Sequence, residues 1–260
     1  RQMCIRDRVL DPMCGSGVVV RQSAMRGHAV WGFDIDPLAV LMSKVWTRKG
    51  SHSELAEASR RLVKLAGSLR RYKHTDLTWV KACAETRSFI EYWFVEPQRS
   101  DLSRLARAIE LSHSLEKGWI CDCFELALSR IIVTKYAGAS LAWDVSHSRP
   151  HKKKSENDFD VFEGFLRSVD RLSTLLDADR LPSGGMVRQG DCRRLGPVKP
   201  GSIDAVITSP PYLNAIDYMR GHKLALVWLG YSIPFLRNIR AGAVGTEKAG
   251  IRGATEEMMN

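Results

Sequence analysis

Residues 208–212, with the sequence TSPPY, combine types that could act on an amino group attached to an aromatic ring. Two consecutive prolines cannot continue a central strand or a helix interior, so they hold the backbone extended and leave carbonyl groups without competing donors. The Ser209 hydroxyl and the Pro210 carbonyl could accept the two N–H bonds of such an amine and turn its lone pair outward for attack. Tyr212 offers a flat face for an extruded base. The alternative is a plain strand stop at Pro210 and Pro211, followed by a core tyrosine.

A second candidate for chemistry is the glycine-containing loop at residues 11–17, DPMCGSG. Val20 occupies the position of the third glycine in the dinucleotide fingerprint, so the match to that fingerprint is incomplete. A carboxylate at Asp11 would repel a pyrophosphate but attract an ammonium group. S-adenosylmethionine carries an ammonium, a sulfonium and no phosphate, so the loop favours it over NAD. The alternative role of Asp11 is to cap the helix that follows.

Three further aspartates follow predicted strands. Asp34 could accept both hydroxyl groups of a ribose, the role that a carboxylate has at this place in dinucleotide folds. Asp36, just before Pro37, is predicted to be a helix N-cap. Asp191 could accept the amino group of an adenine, although a turn-forming aspartate after Gly190 is the simpler interpretation of that residue alone.

Four short apolar runs are predicted to be the strands that position these residues. Because parallel strands present their carboxyl ends at one edge of a sheet, the loops that follow them should meet there. Helices are predicted after the first glycine loop and from Pro37 to about Lys49, which gives an open α/β sheet. The predicted strands are Val9–Asp11, Ala29–Phe33, Met186–Gln189 and Ile203–Ile207.

Between the second and third strands, helical periodicity predominates and no convincing strand pair is found. Phe89–Val95 is dense in aromatic residues and is compatible with either helix or strand. The predicted helices are Glu54–Tyr72, Leu102–Leu115, Phe124–Tyr136 and Phe159–Leu176, and a further helix is predicted at Met219–Leu229. We therefore predict a discontinuous core at 9–50 and 186–240, a helical insertion at 51–185, a non-native leader at 1–8 and an uncertain tail at 241–260.

The chain has a formal charge of +10 and a pI near 9.5, which mildly favours a polyanionic partner. Within the insertion, Arg149, Lys152, Lys153 and Lys154 could follow phosphate groups, and a solvated linker is an equally good interpretation of this run. The cysteine spacing does not indicate a zinc site, so no metal is expected. His147 is not expected to act as a base, because the amine becomes acidic only after it has been alkylated.

Taken together, the 11–17 loop and the 208–212 run make the chain resemble the DNA amino-methyltransferases, which form N4-methylcytosine and N6-methyladenine. Met13 stands where that family usually has phenylalanine. The resemblance implies a Rossmann-like S-adenosylmethionine methyltransferase sheet, S-adenosylmethionine as cofactor and DNA as partner. The catalytic residues that it implies are Ser209, Pro210, Pro211 and Tyr212. The cofactor contacts that it implies are Asp11, Pro12, Cys14, Gly15, Ser16, Gly17, Asp34, Ile35, Asp191 and Cys192.

The serine before Pro-Pro-Tyr is typical of the cytosine-N4 members of that family, so cytosine is the preferred base. Adenine N6, a base amine in RNA or tRNA, and a non-catalytic nucleic-acid-binding relative remain as alternatives. No membrane span or signal peptide is visible, and a cytoplasmic protein is expected. The later strands of the fold are not recognisable after Leu229, so we expect an incomplete sheet and a natural protein that continues at both ends.

Overall fold

The computed structural model describes residues 7–134, 138–143, 151–152, 155–177, 185–210 and 218–244. Its strands are β1 (Arg8–Asp11), β2 (Ala29–Asp34), β3 (Ala142–Trp143), β4 (His151–Lys152), β5 (Gly185–Gln189) and β6 (Ala205–Val206). Its α-helices are α1 (Val18–Met25), α2 (Pro37–Trp46), α3 (His52–Ser68), α4 (Thr78–Lys81), α5 (Ala84–Trp93), α6 (Gln98–Ser112), α7 (Gly118–Ile132), α8 (Val161–Asp177), α9 (Met219–Leu226) and α10 (Ile233–Gly242). A 3-10 turn lies at His74–Asp76.

The larger sheet has four strands in the order β5-β2-β1-β6. Every neighbouring pair in it is parallel, with Asp11 opposite Gly32, Asp34 opposite Gln189 and Leu10 opposite Val206. The four predicted strands are therefore neighbours, and their carboxyl ends share one edge. This confirms the predicted α/β architecture.

Strand β6 differs from its prediction in both length and burial. A buried strand was predicted over Ile203–Ile207, but only Ala205 and Val206 form the strand, and Val206 is 60% exposed. The reason is that, among the described residues, β6 lies at the end of the strand order and pairs with β1 alone. An apolar run reads the same in the sequence whether its strand is central or at an edge.

The two helices next to the glycine loop begin as their sequences predict. The Asp36 side chain accepts a hydrogen bond from the Leu38 N–H at 2.9 Å, and Pro37 occupies the first turn of α2. Helix α1 ends before Gly27, whose φ of 83° is a conformation that glycine adopts without steric cost. Helix α2 therefore begins at the sheet edge that carries the loops, and Gly27 ends α1 at the opposite edge, where the chain enters β2.

The insertion is helical where apolar periodicity predicted it, although α7 begins at Gly118 instead of Phe124 and the predicted end at Tyr136 lies outside the described residues. The ambiguous aromatic segment is resolved in favour of helix, since α5 runs to Trp93. One expectation for the insertion was wrong, because β3 and β4 form a short antiparallel pair in which Ala142 lies opposite Lys152. A pair of two-residue strands is too short to produce a recognisable alternation of polar and apolar residues.

The insertion shares one hydrophobic core with the sheet's helices. Leu38, Leu41 and Val45 of α2 belong to the same buried cluster as the apolar faces of α3, α6, α7 and α8. Trp228, which follows α9, lies in that cluster and packs edge-on against Phe94 at 5.0 Å between ring centroids. A smaller cluster, centred on the strands β1 and β2, packs against α1. The insertion is thus integrated with the sheet through α2 and α9.

Helix α10 was not predicted. It begins where the Ser232 side chain accepts from the Phe235 N–H at 3.4 Å, and of its residues only Leu236 is fully buried. Its sequence does carry helical signals, because Ser232 precedes a first turn that contains a proline and because apolar residues at Ile233, Leu236 and Ile239 pack on the core, so this helix was predictable. None of the helices in the described part of the chain is long and apolar enough to cross a bilayer.

Candidate active site

The proposed site residues lie along one edge of the sheet, each at the carboxyl end of a different strand. Asp34 and Asp11 are the last residues of β2 and β1, while Asp191 and Ser209 follow β5 and β6, and the spatial order of the strands is β5-β2-β1-β6. Residues separated by almost two hundred positions are brought together in this way. Sequence reasoning predicted this convergence, and the strand order confirms it.

The glycine loop is fastened to the end of β2 by backbone hydrogen bonds. The Cys14 N–H donates to the Phe33 carbonyl at 2.8 Å, and the Gly17 N–H donates to the Cys14 carbonyl at 2.8 Å. The Gly15 N–H donates to Asp34 Oδ2 at 2.8 Å. Asp34 therefore holds the loop as well as facing the site. Its other oxygen accepts the Asp36 N–H at 2.9 Å. A carboxylate offers about four lone-pair positions, so each Asp34 oxygen can still accept from a ligand.

The two glycines of the loop differ in the space that the structure leaves for a side chain. Gly17 has a φ of 87°, and a Cβ there would lie 2.8 Å from the Ser43 Cα, so helix α2 approaches too closely for any side chain. Gly15 also has a positive φ, 50°, but no atom lies within 4 Å of the place where its Cβ would be. The space beside Gly15 is therefore open, as a cradle for a ligand requires.

Negative charge accumulates around this loop. Burial raises the pKa of the Asp11 carboxyl, and the neighbouring charge of Asp34 adds to the shift, while the Thr208 hydroxyl opposes it. Burial also raises the pKa of Asp34, with the charge of Asp36 adding to it. The pKa of the Cys14 thiol is raised to about 12, mainly by burial. A cationic ligand would relieve this repulsion, whereas a pyrophosphate would increase it.

The alternative role for Asp11 is not seen. Gly17 is the N-cap of α1 and no side chain caps that helix, while Asp11 Oδ1 accepts from the Met13 N–H at 3.3 Å. Asp11 is buried at the end of β1, beside Thr208. It therefore contributes charge to the floor of the loop and does not cap the helix.

Asp191 forms a turn. It accepts the Arg193 N–H at 3.0 Å and the Arg193 guanidinium at 2.7 Å, and these bonds lower its pKa to about 2. The turn role is confirmed, and the contact to an adenine stays a prediction. Arg193 also donates to the Gly242 carbonyl at 2.9 Å, so the end of α10 lies beside this strand end. Cys192, within the turn, and Ile35, after β2, are both half-exposed.

The catalytic run is described only in part. Ser209 and Pro210 are exposed beyond β6, while Pro211 and Tyr212 lie outside the described residues. In the cofactor loop, Pro12 is half-exposed and Ser16 is exposed.

The basic run is also described in part. Arg149, Lys153 and Lys154 lie outside the described residues, and only Lys152 is placed, on β4. In the part of the chain that the structure covers, no three His, Cys, Asp or Glu side chains are grouped to hold a metal ion.

One residue of the site was missed by sequence reasoning. His222 Nδ1 on α9 lies 2.5 Å from Asp36 Oδ2, so the helix after the catalytic run is joined to the start of α2. The charge of His222 also acts on Asp34 and opposes the rise of its pKa. The signal that could have identified His222 is a histidine in the first predicted helix after the TSPPY run. It was overlooked because it lies ten residues beyond the end of that motif.

A parallel sheet with a glycine loop after β1 and a helical cover is consistent with the Rossmann-like methyltransferase fold that the motifs predicted, and its carboxylate-lined edge suits a cationic ligand. The comparison with known proteins agrees. The chain is 25% identical over 263 residues to the type II methyltransferase M.BsoBI of Geobacillus stearothermophilus, a match that covers 90% of this chain and 49% of that protein. This similarity supports the DNA methyltransferase family that the motifs indicated.

The chain spans about half the length of the curated relative that it matches. No family model matches the chain, and no solved structure matches it.

Proposed function

We propose that this protein transfers a methyl group from S-adenosylmethionine to the exocyclic amine of a base in DNA, with cytosine N4 as the acceptor. The observation that carries the proposal is the adjacency of β1 and β6. It sets the glycine loop with its buried carboxylates beside Ser209, so a cationic cofactor and a base amine could meet at one edge. The similarity to a type II methyltransferase supports the same activity.

The residues of the loop fit the cofactor chemically. S-adenosylmethionine, when bound, supplies an electrophilic methyl group on a sulfonium, and its ammonium and sulfonium are both positive. Burial raises the pKa values of Asp11 and Asp34, and the charge of Asp34 adds to the first shift while that of Asp36 adds to the second. The positive charge of the cofactor would stabilise both carboxylates in their ionised forms. Gly15 leaves open space beside the loop, and Asp34 retains lone pairs for ribose hydroxyls.

Ser209 and Pro210 would orient the acceptor. The lone pair of a base amine is delocalised into the ring, which makes the nitrogen a poor nucleophile. If the amine donates one N–H to Ser209 Oγ and the other to the Pro210 carbonyl, its nitrogen is drawn toward tetrahedral geometry. The nitrogen lone pair would then be free to take the methyl group that the sulfonium supplies when the cofactor is bound, with the carbon–sulfur electron pair staying on sulfur, and the amine would lose one proton afterwards. No base is needed before the transfer.

The test is mass spectrometry of nucleosides from DNA incubated with the protein and S-adenosylmethionine. N4-methylcytosine is the expected product. The choice of cytosine rests on the serine of the motif, because cytosine and adenine present the same local edge to a hydroxyl group. Finding N6-methyladenine and no N4-methylcytosine would contradict cytosine as the acceptor base but would agree with methyl transfer to a base amine. Methylation of RNA in preference to DNA would contradict DNA as the substrate.

Ser209→Ala separates orientation of the amine from binding of the cofactor. The variant should keep its affinity for S-adenosylmethionine and lose turnover, because the missing hydrogen bond matters at the reacting nitrogen. Calorimetry measures the first and single-turnover methylation the second. Full turnover in this variant would overturn the proposed role of Ser209.

We also propose that the basic run contacts DNA phosphates. Arg149, Lys152, Lys153 and Lys154 would each pair with a phosphate, so replacing all four by alanine should make the salt dependence of DNA binding shallower. An unchanged slope would identify the run as a linker.

A further inference from the structure

One stretch of the insertion carries basic residues without any acidic ones between them. Residues 60–73 lie on the second half of α3 and in the turn that follows it, and we call them the α3 basic segment. The segment has no aspartate or glutamate, and its basic residues are Arg60, Arg61, Lys64, Arg70, Arg71 and Lys73. Charge of one sign concentrated in this way is typical of a surface that meets an anion.

The cations of the α3 basic segment face solvent because the opposite side of the helix is buried. Leu55, Leu62 and Ala66 lie in the hydrophobic core, where α3 packs against α6 and α8. Arg60 and Lys64 are exposed and four residues apart, so they lie on one face of the helix. The segment thus presents its positive charge on the outside of the insertion.

Most of these cations have no counter-ion. Arg61 is an exception, since it forms ion pairs with a glutamate on α3 and with another just before α7. Among the residues that the structure describes, the side chains of Arg60, Lys64, Arg70 and Arg71 have neither an ion pair nor a hydrogen bond. Four positive charges therefore remain without a partner.

The neighbouring helix α6 shows the ordinary arrangement. Each of its three arginines, Arg99, Arg104 and Arg107, forms an ion pair with a carboxylate three residues away. Exposed pairs of this kind contribute little to stability, but they neutralise the surface. Because four cations of the α3 basic segment lack such pairs, their charge is available to a ligand.

The segment ends in an open hollow of about 470 Å³. Arg70, Arg71, Tyr72 and Asp76 are among the residues that line it. Burial raises the pKa of the Tyr72 phenol, so this group stays neutral. Asp76 Oδ2 accepts the Lys73 N–H at 2.8 Å at the start of the 3-10 turn. The two guanidinium groups outweigh the single carboxylate, so the lining has a net positive charge.

Two unpaired guanidinium groups beside one hollow match the chemistry of a phosphodiester backbone. Each guanidinium presents a planar fork of N–H donors that can bind two oxygens of one phosphate. Arg70 and Arg71 are both exposed, so a phosphate can reach them while it remains part of a strand. The alternative role of these arginines is to stabilise the end of α3, because cations interact favourably with a helix C-terminus.

A series of contacts joins the hollow to the first described helix after the TSPPY run. Asp76 is followed by α4, where the Trp79 indole donates to the carbonyl of Val227, just after α9, at 2.8 Å. Helix α9 carries His222, which contacts Asp36 at the sheet edge. The reach of these links limits the distance between Asp76 and Asp36 to about 40 Å. That is about 12 base pairs at 3.4 Å each, so a duplex of about 20 base pairs is long enough to touch both places.

We propose that the hollow at the end of the α3 basic segment binds the phosphodiester backbone of DNA, with Arg70 and Arg71 each neutralising one phosphate. This inference rests on the proposed function and adds a contact that belongs neither to the two motifs nor to the basic run at 149–154. Arg60 and Lys64 extend the same positive surface along α3. Phosphate contacts of this kind position a duplex without reading its sequence.

The test uses the full chain and a fluorescent duplex of about 20 base pairs, with anisotropy measured over a series of salt concentrations. In Arg70→Ala with Arg71→Ala, each lost contact removes about 0.9 from the salt slope. The slope should become shallower by about 2, and the affinity for DNA at about 0.1 M salt should fall on the order of 50-fold. The affinity for S-adenosylmethionine, measured by calorimetry, should not change.

A matched control removes two charges from the other edge of the sheet. Arg26 and Lys199 are exposed, and they precede β2 and β6, so they lie toward the edge opposite the candidate site. Arg26→Ala with Lys199→Ala should keep the wild-type salt slope. If both double variants reduce the slope equally, binding follows overall charge and the hollow is overturned as a site.

A conservative variant separates phosphate binding from stabilisation of α3. Arg70→Lys with Arg71→Lys keeps both charges and should keep the wild-type salt slope, because the slope reports the number of phosphates neutralised. Denaturant unfolding is measured for the same variants. An alanine variant that is less stable but has the wild-type slope would show that the arginines only stabilise the helix end, and would overturn the proposal.

A free phosphate could occupy the same hollow, so inorganic phosphate is titrated into the wild type and the alanine variant by calorimetry. Binding of inorganic phosphate that the alanine variant loses, together with an unchanged salt slope for DNA, would overturn DNA as the ligand of the hollow. A wild type that methylates DNA, with an alanine variant of unchanged slope, overturns the hollow alone. A wild type that does not bind DNA overturns the proposed function as well.

Discussion

At the scale of single residues, the two glycines of the cofactor loop look equivalent in the sequence and differ in the structure. Gly17 is required because α2 packs directly against it. Gly15 has open space beside it, and its N–H is bound by Asp34. The first is a packing residue and the second faces the proposed ligand.

Alanine at each position should therefore have a different consequence. Gly17→Ala combines a left-handed backbone with a Cβ close to the Ser43 backbone, so we expect a loss of about 2–4 kcal/mol in unfolding free energy. Gly15→Ala should lose about 1 kcal/mol from its backbone conformation, and its main effect should be weaker cofactor binding. Denaturant unfolding and calorimetry measure the two quantities. A Gly15→Ala variant with full cofactor affinity would show that the ligand does not approach the loop there.

The carboxylates at the strand ends predict how cofactor affinity depends on pH. A bound cation favours their ionised forms, so the pKa values of Asp11 and Asp34 should be lower in the complex than in the free protein. Affinity should therefore rise with pH as the free protein passes through these raised pKa values, and level off above them. Calorimetry at a series of pH values that starts at the ordinary pKa of an aspartate and extends upward until the affinity is constant measures this rise.

Single aspartate replacements show which carboxylate causes the pH dependence of cofactor affinity. Asp34→Ala should weaken S-adenosylmethionine binding by about 1–3 kcal/mol and flatten the pH profile. Asp191 is the matched control, because its pKa of about 2 keeps it ionised throughout the range. Asp191→Ala should therefore leave the shape of the profile unchanged. A profile that flattens only in the Asp191 variant would contradict this assignment.

At the scale of elements, the contact between α9 and α2 links the two motifs. Asp36 uses one oxygen to cap α2 and the other to bind His222. The first described helix after the TSPPY run is thereby held against the helix that follows Asp34. The contact between His222 and Asp36 lies outside both motifs, but it joins the helices that follow them.

His222→Ala should loosen that connection. A hydrogen bond to a charged group contributes about 1.5–3 kcal/mol, so unfolding free energy should fall by about that amount. Turnover should fall because Ser209 is less well positioned, while cofactor affinity should change little. The matched control is His113→Ala, which breaks the 2.9 Å contact to Glu125 on the exposed side of the insertion. That variant should lose no more than about 1 kcal/mol and keep full turnover. Equal turnover losses in the two variants would contradict a positioning role for His222.

At the scale of the whole molecule, the insertion and the sheet's helices share a core. Trp228 is 1% exposed within that core and packs against Phe94, which follows α5. The indole of Trp79 on α4 donates to the Val227 carbonyl at 2.8 Å, which adds a polar link between the same regions. We therefore expect the insertion and the sheet to unfold together.

Trp228→Ala tests this expectation. It should lower the unfolding free energy by about 3–5 kcal/mol, the cost of removing a large buried aromatic side chain. Circular dichroism and the fluorescence of the remaining tryptophans should report one coincident transition. Leu115→Ala, at a side chain that is 72% exposed, is the control and should change stability by less than about 0.5 kcal/mol. Two separate transitions in the wild type would show instead that the insertion is an independent unit.

Features that depend on local chemistry could be predicted from the sequence. The glycine loop, the N-cap at Asp36, the four strands and the principal helices of the insertion all follow from residue type and apolar period, and the structure contains them. The convergence of four strand ends was also predictable, because parallel strands between helices present their carboxyl ends at one edge.

Features that depend on which elements become neighbours could be identified from the tertiary structure but not from the sequence. The edge position of β6, the link from His222 to Asp36 and the placement of Lys152 over Tyr92 join residues that are distant in the chain. Local sequence carries no record of such pairings, because they result from how amphipathic helices share a common core. For the same reason, the motif residues were recognisable from the sequence, whereas contacts between distant residues, such as that of His222 with Asp36, were not.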